Sequence, residues 1–236
     1  MIFHQGTQAW HGYGFDGKGY NARAFLGYGN DRQALHFMLA SKPYTHQTQE
    51  SPLWIGVGMD QSKNWLDGKA SGAFGYDQTG STWVFAGHHH DFGIIKTTTE
   101  FLLGQTELTP SQNGILKEGH LVYDSWSLRF DMPMAADQWR FGQDWGWRRR
   151  LDQPPALRKG HMIIEQPVGL SEGQFQFVDQ RYDLSLSSRQ KQASLEFYFE
   201  PNHQSLIKAG FDWIDNFGHR AGHHESQFII NLTQRF

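Results

Sequence analysis

Hydrophobic and polar residues alternate along most of this chain with a period of two, and the pattern is cleanest over its last dozen residues, ESQFIINLTQRF. From Glu225 to Phe236, the residues Phe228, Ile230, Leu232 and Phe236 fall on one side, with Gln234 as the exception. Gln227, Asn231, Thr233 and Arg235 fall on the other, interrupted by Ile229. Successive side chains of a β-strand point to opposite faces, so this segment reads as a strand with one apolar and one polar face. Chains usually end in a frayed, polar tail. A strand ending on an aromatic reads instead as a structural element, of the kind that closes a sheet on itself and leaves no open edge.

The same alternation, punctuated by turn residues, predicts eleven earlier strands. They cover roughly 7–15, 18–28, 32–42, 52–62, 69–77, 80–89, 92–106, 119–134, 137–151, 187–200 and 204–216. In the middle of the chain Val122, Trp126, Leu128, Phe130 and Met132 share a face, with Asp124 as an exception, and oppose Tyr123, Ser125, Ser127, Arg129 and Asp131. Trp139, Phe141, Trp145 and Trp147 oppose Arg140, Gly142, Asp144, Gly146 and Arg148. Leu53, Ile55, Val57 and Met59 oppose Trp54, Gly56, Gly58 and Asp60, and the late strands repeat the scheme. No stretch carries a helical period and no linker divides the chain, so one all-β domain over 1–236 is expected. Short connections at Gly29–Asp31, Pro133–Asp137 and Pro201–His203 are expected at one end of the sheet. Longer polar ones, the longest from Leu151 to Leu186, are expected at the other.

Composition changes the picture in one respect. The chain has no cysteine and a net charge of −3, so disulfides and thiolate metal sites are excluded and bulk charge gives no basis for nucleic-acid binding. No apolar run approaches the ~20 residues of a transmembrane helix, and mean hydropathy is low. Both facts suit a soluble sandwich or barrel with its apolar faces inward. They suit a membrane barrel equally, because lipid-facing and lumen-facing residues alternate there. The aromatic content of 15% decides between them. So many Trp and Phe would overfill a small core, whereas they suit lipid contact and interfacial girdles. The reading is an antiparallel transmembrane β-barrel of about twelve strands, both termini periplasmic, in the outer membrane of a Gram-negative bacterium. Its partners would be outer-membrane lipids and lipopolysaccharide. The start MIFHQGTQAW has no basic n-region and apolar h-region, so a mature form, a fragment or an engineered start is expected.

Several stretches carry a family resemblance: Gly72-Ala73-Phe74, Thr97–Thr106 (TTTEFLLGQT), Ser125–Met134 (SWSLRFDMPM), Gln166-Pro167 to Gly173, Arg189–Phe199 (RQKQASLEFYF), and Arg220–His223 ahead of Phe236. From Ala70 onward the chain resembles the translocator β-domain of autotransporters, most closely those with subtilisin-like protease passengers. The resemblance implies a twelve-stranded barrel, contact with the barrel-assembly machinery, and a role in bringing an N-terminal passenger to the cell surface by type V secretion. Two departures stand out: no passenger is present, and the family's lumen-threading helix is not readable in residues 1–6.

Candidate site residues follow from the faces. Arg23, Arg129, Asp131, Arg140, Asp144, Glu196, Lys208, Asp212 and Arg235 are expected to line the lumen and pair across strands. Phe228, Ile230, Leu232 and Phe236 form the closing strand and assembly signal. Arg148, Arg149 and Arg150, read as the extracellular end of a strand, offer guanidinium groups to lipopolysaccharide phosphates, or are solvated rim charges. Histidines at 88–90, 203, 219 and 223–224 read as solvated loop residues; no metal, cofactor or catalytic group is assigned. Ser125 and Ser127, with nearby Asp and His, leave an outer-membrane lipid hydrolase as the alternative, and a general pore or adhesin as a third reading. Small inward residues (Gly56, Gly58, Gly142, Gly146, Gly210) predict a water-filled lumen that only 151–186 is long enough to occlude.

Overall fold

In the computed structural model the described residues are 9–17, 20–28, 32–41, 53–62, 76–111, 114–134, 144–186, 188–202 and 205–234. They form one antiparallel sheet of twelve strands. In chain order these are β1 (Ala9–Gly17), β2 (Tyr20–Tyr28), β3 (Arg32–Ala40), β4 (Leu53–Ser62), β5 (Tyr76–Asp91), β6 (Lys96–Pro110), β7 (Leu116–Met134), β8 (Asp144–Ser171), β9 (Gln174–Leu184), β10 (Lys191–Asn202), β11 (Ser205–Asp215) and β12 (His224–Gln234). Among the described residues one 3₁₀ turn, Phe217–His219, interrupts the β11–β12 connection. The chain is therefore all-β, as the alternation predicts.

Each strand pairs with the next, except where β8 meets both β9 and β10. Gly160 to Ser171 of β8 pair with β9, while Asp144 to Asp152 pair with β10. Since β9 and β10 both run antiparallel to β8, they are two halves of one interrupted strand position. The sheet is twelve strands by count but eleven positions across. With an odd number of positions, β1 and β12 run in the same direction, and Ala9 and Gln234 lie at opposite ends. No pairing joins β1 to β12 among the described residues.

One expectation is corrected by this topology. The stretch 151–186 is not a loop: it completes β8, turns at Glu172-Gly173 and returns as β9. Glu172 and Gly173 both have positive φ, 51° and 77°, the left-handed pair that a two-residue primed hairpin turn requires. A second expectation, the strand 69–77, lies outside the described residues except for Tyr76 and Asp77, which open β5. With β9 in place of that strand the count stays at twelve, but strand direction between the two positions is inverted. The short turn after β2 and the short turn after β10 consequently sit at opposite ends of the sheet, so short and long connections are not segregated.

Strand length is uneven. β1 to β4 have 9 or 10 residues, whereas β7 has 19 and β8 has 28. At about 3.3 Å per residue, β8 is on the order of 90 Å long. Its second half, with β9 and the start of β7, forms an arm beyond the main sheet. Three register shifts between β7 and β8, and one between β8 and β9, mark where extra residues are absorbed.

Packing is concentrated on one face of β2 to β7. There Thr79, Thr106, Ser81 and Trp83 are buried, with Ser81 Oγ and Thr106 Oγ1 2.8 Å apart. Aromatic rings occupy the side-chain space of glycines on the neighbouring strand: Phe85 at Gly56, Trp83 at Gly58, Trp54 at Gly87, Tyr123 at Gly104 and Tyr198 at Gly146. A Cβ on Gly56 would come within 2.2 Å of the Phe85 ring and 2.6 Å of the Phe37 carbonyl oxygen. These glycines are small because a ring from the next strand occupies their side-chain space. Gly56, Gly58 and Gly146 therefore do not open the interior as the sequence suggests, whereas a Cβ on Gly210 would meet only the Leu195 carbonyl at 3.5 Å, and Gly142 lies outside the described residues.

Candidate functional site

The register fixes which residues share a face, because cross-strand partners in a sheet point the same way. One row runs through Leu53, His88, Thr99, Leu128, Leu151, Ala193, Trp213 and Ser226. The face it defines also carries Leu35, Phe37 and Leu39 of β3, Ile55, Val57 and Met59 of β4, and Phe101 of β6. On the other side of the row it carries Trp147 of β8, Phe197 of β10, Phe211 of β11, and Phe228, Ile230 and Leu232 of β12. For the described residues of β4, β10, β11 and β12, every face assignment made from the alternation matches this pairing.

This apolar face is the open one. Val57 is 50% exposed and Ile230 64%, against 3% for Trp83 and 0% for Thr106 on the opposite face. Among the described residues, exposed large hydrophobics number thirty-two and buried hydrophobics seven, of which three are alanines. Polarity is therefore inverted relative to a protein whose core is its apolar face. An apolar surface continuous across a whole sheet far exceeds the few hundred Å² that a soluble monomer normally shows. A groove of 450 Å³ crosses it from β3 to β7, bounded by Leu35, Phe37, Met59 and Val122.

The apolar band crosses the strands obliquely. In β4 the run Leu53–Met59 is centred three residues past the row that joins Leu53 to Ser226. In β12 the run Phe228–Leu232 is centred four residues past the same row, in the opposite direction. That displacement, seven residues over seven strand steps, is one residue per strand. With a rise of about 3.3 Å and a spacing of about 4.8 Å, the strands lean about 35° from the normal to the band.

Asp124, the exception on the apolar face, is neutralised there. It is 9% exposed, and Arg189 of the β9–β10 connection reaches it at 2.8 Å. Ser188 donates to the His219 carbonyl at 2.7 Å and Asn216 to that of Arg189 at 3.2 Å, so the β9–β10 and β11–β12 connections brace one another. Sequence reasoning did not bring Arg189 to Asp124, because contact between distant connections leaves no periodic signal.

The polar face holds cross-strand ion pairs. Arg148 bridges Asp131 at 2.6 Å on β7 and Glu196 at 3.0 Å on β10. Lys208 of β11 adds a contact to Glu196 at 3.4 Å, and the Tyr198 ring lies 5.7 Å from the Arg148 guanidinium. Arg23 meets Asp16 at 3.2 Å, Gln227 donates to Asp212 at 3.3 Å, and Arg129 lies on this face opposite Thr98. Arg140, Arg235, Phe236 and the side chain of Asp144 fall outside what is described. Arg148, Arg149 and Arg150 are not a strand end: they sit within β8, paired on both sides. Arg150 contacts Asp152 at 3.3 Å.

The hydrolase alternative gains no geometry. Ser127 Oγ donates to Glu100, its register partner on β6, at 3.1 Å, and no imidazole contact to Ser127 is present among the described residues. His88 and His90 stack on the apolar face with ring centroids 5.9 Å apart, while His89 meets Thr98 on the other. Among the described residues no three His, Asp or Glu side chains gather as a metal site. At the tip of the β5–β6 hairpin the Asp91 carboxylate accepts the Gly93 amide at 2.7 Å, which together with Lys96 holds its pKa below the usual range. Comparison with protein-family models, curated proteins and solved structures returns no match.

Proposed function

We propose that this chain is a β-barrel membrane protein of the Gram-negative outer membrane, acting as a type V translocator for a passenger attached at its N-terminal side. The observation that carries the membrane part is the inverted polarity: the exposed face is a continuous apolar band, and the packed face holds Thr, Ser and ion-paired charges. Water offers no reason to keep such a band exposed, since burying apolar area is the main favourable term in folding. Lipid does, and the ~35° lean agrees with the 35–45° tilt of outer-membrane strands. The polar face then lines the interior, where Arg148, Asp131, Glu196 and Lys208 are neutralised without facing lipid. The translocator role rests on the sequence resemblance alone.

Closure has a condition. Because β1 and β12 run the same way, a direct seam between them is parallel, whereas an all-antiparallel barrel needs one more strand between them. Both termini on the periplasmic side likewise require an even number of crossings. The test is to fuse an export signal and an epitope upstream of Met1 and express the protein in a Gram-negative host. The chain is expected in the outer-membrane fraction, with the epitope cut by protease added to intact cells. Recovery of the folded chain in the soluble periplasm would overturn the membrane reading; membrane insertion with a protected epitope would overturn the translocator role only.

A further inference from the structure

Three consecutive arginines divide between the two faces of β8. Arg148 and Arg150 take carboxylate partners on the polar face, at 2.6 Å from Asp131 and 3.3 Å from Asp152. Arg149 points the other way. It is exposed, its neighbours in register are Phe130 and Leu195, and no carboxylate pairs with it among the described residues. Along β8 the same face presents Trp147, 39% exposed, and Leu151, 41% exposed. An unpaired guanidinium thus stands inside the apolar band.

Its level in the band explains how it can be tolerated. The row one step further along, Leu151, Ala193, Trp213 and Ser226, is the last apolar one on β8 to β12. Beyond it come exposed Lys191 and the pair of His224 with Asp215, 2.9 Å apart. Along β8 itself Leu151 is the last apolar residue on this face and Gln153 follows, so Arg149 is one two-residue step, about 7 Å along the strand, from the end of the apolar run. A long basic side chain covers that distance by laying its stem on apolar surface and raising its head to the interface. Trp213 stacks on His224 at the same edge, where indole rings favour the headgroup level.

We propose that Arg149 binds the phosphate of an anionic membrane lipid at the edge of the apolar band, with Lys191 supplying a second positive charge one level out. A planar guanidinium offers paired N–H donors matched to phosphate oxygens, and the acids of this face toward that end among the described residues, Asp215 and Asp124, are engaged by His224 and Arg189. This site rests on the reading that the apolar face lies in lipid.

The test inserts the full chain into bilayers of equal phosphatidylcholine and phosphatidylglycerol, with one or the other carrying brominated acyl chains that quench tryptophan. Trp147 flanks the site and reports the lipid beside it. The expected result is about fivefold preference for phosphatidylglycerol, the size of one basic residue at an anionic surface. Arg149→Gln should reduce it to near parity, while Arg181→Gln on the arm leaves it unchanged. If Arg149→Gln does not insert, Arg149→Lys, which keeps the charge but loses the fork, should show a preference below the parent's. No preference in the parent, or a preference that survives Arg149→Gln or is undiminished in Arg149→Lys, overturns the site. Absence of quenching by either brominated lipid sinks the lipid-facing reading itself.

Discussion

An arginine at Val57 is expected to destabilise the lipid-inserted protein by about 2–4 kcal/mol, the cost of a guanidinium on the lipid face near the bilayer midplane. Val57 is near the centre of the apolar run of β4, and its partners in register are Phe37 and Val84, so neither neighbouring strand offers a polar group to receive the charge. Ser127→Arg is the matched control. It places the same group on the polar face beside Glu100, which already accepts from Ser127 at 3.1 Å, and should change stability by less than about 1 kcal/mol. Urea titrations in liposomes, followed by the fluorescence of the nine tryptophans, give both values. The contrast is diagnostic because Val57 is 50% exposed. On a water-facing surface the substitution would fall within the roughly ±0.5 kcal/mol typical of exposed positions.

Reversing the charge at Arg148 should cost about 2–4 kcal/mol, less than the 3–5 kcal/mol of a fully buried pair because these side chains are each about a third exposed. Arg148 is the common partner of Asp131 and Glu196, on the strands either side of β8. Arg148→Glu therefore sets three carboxylates side by side on one face and leaves Lys208 alone against them. Exchanging the pair, Arg148→Glu with Glu196→Arg, should recover at least half of the loss, since one attraction across β8–β10 is restored. A double-mutant cycle by urea titration supplies the coupling; independence of the two substitutions would show that the network contributes nothing to the folded state.

What was legible in the sequence was the division into faces. A period of two admits one partition only, so Leu53 to Met59 and Phe228 to Leu232 fall on the side that the pairing later assigns them. What was not legible was which breakers break. The stretch 151–186 read as a connection, yet it is strand: Pro154-Pro155 fall at a register shift of β8 between Gln153 and Ala156, and Pro167 borders a second one at Val168. A bulge leaves a residue unpaired, so it can hold a proline inside a strand. Strand direction suffered for a different reason: β4 pairs directly with β5, so the expectation of a further strand at 69–77 inverts every end assignment after it. The role of the glycines was equally hidden. Gly56 and Gly58 read as open interior because the rings that cover them, Phe85 and Trp83, come from another strand.

The central claim is that the exposed apolar face lies in lipid, and its most direct test is a spin-label scan. The chain has no cysteine, so single cysteines can be placed without background. Labels at Ile55, Val57, Met59, Phe228, Ile230 and Leu232 should be accessible to oxygen and shielded from a water-soluble nickel chelate. Labels at Asp60, Gln227, Asn231 and Thr233 should show the opposite order. A water-soluble reagent that reaches Val57 and Ile230 as readily as Asp60 and Asn231, in protein inserted into bilayers, would contradict the account.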